Sequence, residues 1–154
     1  MNRPAEGEHV PVDALYLDVV HGIQGDRWER TAWLKTDTGA PDPRVQVSLT
    51  NTSVIRCFTG EALESQYLCG DNCYVNLNLT EAVLPVGSRL QIGNAVIEVS
   101  DVENDACGKF AQRFGVDALK WVRRPEHLSL RLRGIFCRIE QSGWVRVGDH
   151  IKLC

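Results

Sequence analysis

Polar and apolar residues alternate with period two through many short segments of this chain, the pattern of strands with one face buried. Ala14-Leu15-Tyr16-Leu17-Asp18-Val19-Val20 has β-forming content and runs into His21-Gly22-Ile23-Gln24-Gly25-Asp26-Arg27-Trp28, where two glycines permit a tight turn. Arg44 to Leu49 and Cys73 to Leu79 alternate in the same way. Arg89-Leu90-Gln91-Ile92 and Ala95 to Ser100 flank Gly93-Asn94 and form the clearest hairpin. Leu128 to Ile139 alternates strongly, with basic residues on its polar face, and turns at Gly143 and Gly148 separate Trp144 to Val147 from His150 to Leu153. Lys35 to Arg44, rich in turn formers, reads as a long surface loop. Only from Ala106 to about Val122 does the period become helical, through Phe110, Ala111, Phe114, Ala118 and Trp121. Gly115 divides that run into two short helices, with Asp105 as the expected N-cap. Short strands with one late helical segment predict a mainly β barrel or sandwich.

The length of 154 residues, 44% hydrophobic and 24% charged, suits one globular domain over 1–154. A net charge of −3 argues against a general nucleic-acid binder, so an anionic ligand must be met by a local basic cluster. No stretch approaches the roughly 18 apolar residues of a membrane span, and the first residues lack the apolar core of a signal peptide. A soluble, cytoplasmic protein is expected. Six cysteines at irregular spacing read as thiols. Cys69-Gly70-Asp71-Asn72-Cys73 looks like half a metal site, but no second Cys or His pair stands at a matching distance, so no structural zinc is expected.

Cys107, in Asp105-Ala106-Cys107-Gly108-Lys109-Phe110, opens the helical segment. With Asp105 as cap, Cys107 is the second helical residue, near free N–H groups and the positive end of the helix, which favour thiolate. Lys109 and Arg113 add positive charge, whereas Glu98, Asp101, Glu103 and Asp105 act in the opposite sense. A small buried hydrophobe is the other reading of this thiol. Trp28, Trp33, Trp121 and Trp144 fit either core or interface.

Five segments occur in an informative order: Gly22-Ile23-Gln24-Gly25-Asp26-Arg27, Gly70-Asp71-Asn72, Pro85 to Gly93, Cys107-Gly108-Lys109-Phe110, and Gly143 to Asp149. Together they resemble the MOSC domain, named for the C-terminal part of molybdenum cofactor sulfurases, over nearly the whole chain. The resemblance implies a MOSC-like β-barrel with one or two short helices after the cysteine. It also implies that Cys107 carries sulfur as a persulfide or ligates molybdenum, either of which needs an accessible thiolate. The implied cofactor is molybdopterin; no pyridoxal-phosphate site is expected in this chain. A cysteine desulfurase or an electron-transfer partner would then act in trans, and a second copy of the chain could close the barrel.

A phosphate-bearing cofactor requires Arg, Lys or backbone N–H donors. The candidates are Arg27 in the matched glycine turn, Lys109 and Arg113 beside the cysteine, and Arg131 and Arg133 on the basic strand face. Asp26, Asp71 and Asn72 also match family positions, or else bond turn backbone. Two departures stand out. Asn104-Asp105-Ala106 precedes the cysteine where relatives often have His, and many relatives have an additional opening strand. The readings that follow are a sulfur carrier or molybdenum-cofactor protein, a non-catalytic pterin- or nucleotide-binding module, and a component of a molybdenum-dependent reductase of N-hydroxylated compounds.

Overall fold

The protein is described by a computed structural model covering residues 1–154. Strands β1 (Ala14–Asp18) and β2 (Gly22–Ile23) pair with a late strand, Gly143–Arg146, in a three-stranded sheet. In chain order the other strands are β3 (Val47–Asn51), β4 (Cys73–Val75), β5 (Arg89–Ile92), β6 (Ala95–Val99), β7 (Ile135–Gln141), β8 (the same Gly143–Arg146) and β9 (Ile151–Leu153). The six-stranded sheet has the order β4-β3-β7-β6-β5-β9 and curls into a half-barrel facing the smaller sheet. The fold is therefore mainly β, as the alternating segments predict.

Period two explains the packing. Ala95, Ile97 and Val99 of β6 and Ile135, Cys137 and Ile139 of β7 are buried side by side, joined by Val47, Leu49, Leu90 and Leu17 in one core cluster. Each such side chain contributes about 1.5–3 kcal/mol on burial. The alternate residues face outward, where Arg89, Glu98, Arg138 and Glu140 form a chain of ion pairs. The expected hairpin is present, with Ile92 opposite Ala95 and Leu90 opposite Ile97.

β3 and β4 pair in parallel. A parallel pair requires a crossover, and two helices that the alternation did not reveal supply it: α2 (Thr52–Thr59) and α3 (Leu63–Tyr67), after the short α1 (Trp28–Thr31). Asn51 caps α2 by accepting from the backbone N–H groups of Ser53 and Val54. The late helical run divides at Gly115 as expected, into α4 (Gly108–Phe114) and α5 (Val116–Val122). These helices share a smaller core of Ala106, Phe110 and Val122 with Phe58 of α2, whose ring meets Phe110 and Trp121 edge-on at 5.5 Å.

Three local expectations are corrected. Leu128 to Arg133 is not strand: Pro125–Leu130 is a 3-10 helix, Arg131 turns the chain at φ 49°, and the strand starts at Ile135. Gly134 permits this turn at φ 99°, where a Cβ would stand 2.1 Å from the carbonyl oxygen of Leu49. β4 ends at Val75 rather than Leu79, and β3 begins at Val47 rather than Arg44, after a 3-10 turn at Pro43–Val45 that follows the expected loop with its Lys35–Pro41 bridge.

Trp28 is buried and Trp121 lies in the helical cluster, while Trp33 rests exposed on Phe136 and Trp144 on Tyr16. The barrel is open along one seam, a groove of about 740 Å³ between β4 and the β8–β9 connection. No helix is long and apolar enough to cross a membrane.

Candidate functional site

Six free cysteines divide into two classes. Cys69 and Cys137 are buried and Cys73 is largely so, and burial pushes the Cys69 thiol up to about 12 and the other two in the same direction. Those thiols stay protonated. Cys57, Cys107 and Cys154 are exposed, and of these only Cys107 stands at a segment with an unusual backbone. Ala106, a buried non-glycine residue, has φ 66°, and Cys107 follows in extended conformation as the N-cap of α4. This corrects the expectation that Asp105 caps the helix with Cys107 as its second residue. No side chain caps α4. Asp105 instead pairs with Arg123 at 3.1 Å.

The glycine turn before α1 brings Asp26 inside, where its carboxylate accepts from Arg3 Nε at 2.9 Å, from the Trp28 backbone N–H at 2.9 Å and from Asn72 Nδ2 at 3.0 Å. Asn72 in turn accepts from the backbone N–H and hydroxyl of Ser48. Both residues are almost completely buried, and this network fastens the segment before β4 to the first turn of the fold. Asp71 accepts from Arg133 Nη1 at 2.5 Å, while Arg133 Nη2 donates to the Cys69 carbonyl and its guanidinium stacks over Phe110. Arg131 Nη1 donates to the carbonyl of Leu84 at 2.5 Å. Asp26, Asn72, Arg131 and Arg133 thus have partners within the fold, and the last two do not share a strand face.

Arg27, Lys109 and Arg113 are differently placed, and the structure brings them together around a segment that sequence reasoning left out. Residues 1–10 form a hairpin closed by an Asn2–Val10 bridge and fixed by Arg3. At its tip Glu6 accepts from Lys109 Nζ, and the Lys109 and Arg27 charges hold its carboxyl below the usual carboxylate range. His9 stands against Gly70, close to Arg113. Its partial burial, followed by the Arg113, Arg3 and Arg27 charges, keeps it neutral to lower pH than an ordinary histidine. Arg113 Nη1 donates to the Leu68 carbonyl at 2.6 Å, and Arg27 Nη1 reaches Thr31. Arg27 Nε is buried without a partner. Gly7, at φ 82° in the turn, was the available signal for this hairpin.

Asn104, where relatives often have His, donates from Nδ2 to the Arg133 carbonyl at 3.3 Å and so anchors the loop before Cys107. Behind that loop lies a cavity of about 150 Å³, lined by Asp101, Glu103, Asp105, His127 and Arg133 among others. It is smaller than the roughly 300–1,000 Å³ of small-molecule sites. The groove between β4 and the β8–β9 connection, at about 740 Å³, falls within that range and lies apart from Cys107.

Comparison with known proteins supports this fold. The fold is similar to YuaD from Bacillus subtilis, with a TM-score of 0.64 and 21% identity over 97% of this chain and 90% of that one. It is also similar to YiiM from Escherichia coli, with a TM-score of 0.62 and 20% identity over 94% of this chain and 64% of that one. YiiM from Geobacillus stearothermophilus gives a TM-score of 0.56 and 18% identity over 73% of this chain and 55% of that one. The chain therefore spans less than two thirds of either YiiM protein. No curated protein matches the sequence. The MOSC domain profile matches residues 42–152, a span that includes Asp71, Cys107, Lys109 and Arg133. The chain belongs to the MOSC domain family.

Proposed function

We propose that Cys107 is the reactive thiol of a sulfur-carrier or molybdenum-cofactor site, and that Lys109, Arg27 and Arg113 supply its positive face. The observation that carries this reading is the exposed Cys107 at the start of α4, two residues before Lys109, whereas Cys69, Cys73 and Cys137, three of the five other cysteines, are held as thiols. As a carrier, the Cys107 thiolate attacks the outer sulfur of a persulfide on a donor such as a cysteine desulfurase. A bond forms between Cys107 Sγ and that sulfur, the donor's S–S bond breaks, and the donor leaves as thiolate.

The donor set also fits molybdopterin. A thiolate is a soft ligand for molybdenum, and the orphaned Arg27 Nε–H and the Lys109 ammonium are donors suited to a phosphate. When bound, that group supplies redox chemistry at the metal. The chain's own residues would hold it: Cys107 at the metal, Arg27 and Lys109 at the phosphate, with Arg113 adding charge.

Treating the purified chain with a low-molecular-weight persulfide should add one sulfur atom at Cys107, seen by mass spectrometry, and Cys107→Ser should abolish the gain. Equal sulfur uptake by the mutant would overturn the assignment. Metal analysis after expression with ample molybdenum and cofactor synthesis separates the two roles. Stoichiometric molybdenum lost in Cys107→Ser supports ligation, whereas persulfide formation without molybdenum supports the carrier alone.

A further inference from the structure

We infer that Arg123 is a positioning residue for the Cys107 thiol: it clamps the two peptide carbonyls before Cys107 and so holds Ala106 in the left-handed turn that presents the thiol outward. Arg123 ends α5, and its Nε donates to the Asp105 carbonyl at 2.8 Å while Nη2 donates to the Ala106 carbonyl at 2.9 Å. Its Nη2 also pairs with the Asp105 carboxylate at 3.1 Å. Neither carbonyl accepts a backbone hydrogen bond. The guanidinium is therefore the partner that both oxygens have in the fold.

Left-handed backbone is sterically disfavoured for a residue with a Cβ, and it persists where the surroundings over-determine it. Ala106 sits at φ 66° with its methyl buried beside Phe110 and Val122. The methyl is held from one side by packing and the carbonyl from the other by Arg123. Between those holds the chain reverses out of the loop, and Cys107 emerges extended, φ −138° and ψ 179°, with its side chain exposed. Were Ala106 to relax into the ordinary β or α region, the loop ending at Asp105 would swing relative to Cys107 and α4 and change what stands beside the thiol. The same arginine sets its charge against the Asp105 carboxylate, the nearest acidic side chain in sequence to the thiol.

This inference rests on Cys107 being the reacting group, and the test separates the two claims. The full chain, Arg123→Gln and Arg123→Lys are treated with iodoacetamide at one fixed pH, and modification is mapped by mass spectrometry. Exposed Cys57 and Cys154 serve as internal controls. Arg123→Gln should slow Cys107 about fivefold and leave Cys57 and Cys154 unchanged, and Arg123→Lys should recover part of the loss. An unchanged or faster Cys107 overturns the clamp. Global unfolding is recognised separately, because it would also open buried Cys69 and Cys137, and Arg123→Lys then decides.

A second readout needs no reactivity. With the clamp present, Ala106→Gly relieves strain that is absent once Arg123 is gone. The change in Tm on Ala106→Gly should therefore be more favourable by about 3 °C in the Arg123 chain than in Arg123→Gln. Additive effects would overturn the proposal. If wild-type Cys107 reacts no faster than Cys57 and Cys154, the functional reading falls, while the thermal cycle still judges the clamp.

Discussion

The Arg133–Asp71 and Lys109–Glu6 pairs are both cation–carboxylate contacts linking distant parts of the chain, yet they do opposite things. The Arg133 and Asp71 side chains are 12% and 2% exposed, and Arg133 is held further by the Cys69 carbonyl and the Phe110 ring. The Lys109 and Glu6 side chains are 53% and 73% exposed. A buried pair with additional hydrogen bonds fixes geometry, and breaking it strands a charge; an exposed pair is screened and exchanges readily with other ions. Of these two basic residues, then, one is fixed inside the fold and the other stays exchangeable at the surface.

The largest effect should come from breaking the buried pair. Arg133→Leu leaves Asp71 uncompensated and should cost about 3–5 kcal/mol in urea unfolding. Adding Asp71→Leu should return much of that loss; equal destabilisation in single and double variants would mean that the pair is not the cause. On the exposed side, Lys109→Ala should slow reaction of Cys107 with a dianionic aromatic disulfide about fivefold at low salt, with the difference vanishing near 1 M salt. Neutral iodoacetamide should be affected far less. Glu6→Gln should accelerate the anionic reagent about twofold and leave the melting temperature unchanged, since both partners already sit in water.

The smallest effect is a pH dependence. His9 has a folded-state pKa below its unfolded value, so the unfolded chain binds more protons in the interval between them. Stability should therefore decline as pH falls below about 6.5, and His9→Gln should flatten that slope in melting curves between pH 7 and pH 5. A steeper slope in the variant would show that His9 gains rather than loses a proton affinity on folding.

How much of this was legible in the sequence depended on how local the cause was. The β5–β6 hairpin follows from period two and a short turn, and the break at Gly115 from one residue's backbone freedom. α2 escaped because Thr52, Val54, Ile55 and Thr59 are β-branched, although Asn51 was a readable cap. Leu128 to Arg133 imitated a strand by alternating, and the close approach of Gly134 to β3 that ends the imitation involves a residue far away in sequence. The family assignment was legible from the order of five short segments. The division of labour among the basic residues was not, because it depends on which carboxylate or carbonyl each meets across the fold: Arg133 meets Asp71, Arg131 meets Leu84, and Lys109 meets a terminal hairpin.

The Asp71–Arg133 contact joins residues 62 positions apart, and the segment between them contains Cys107. It therefore works as a clasp on a loop of chain rather than as a point of attachment. Closing such a loop has an entropic cost that grows only slowly with its length. Insertions in the exposed turns between β4 and β5 or between α4 and α5 should thus be tolerated while the clasp holds. The segment between them can vary in length from one chain to another without opening the clasp, provided that positions 71 and 133 still meet.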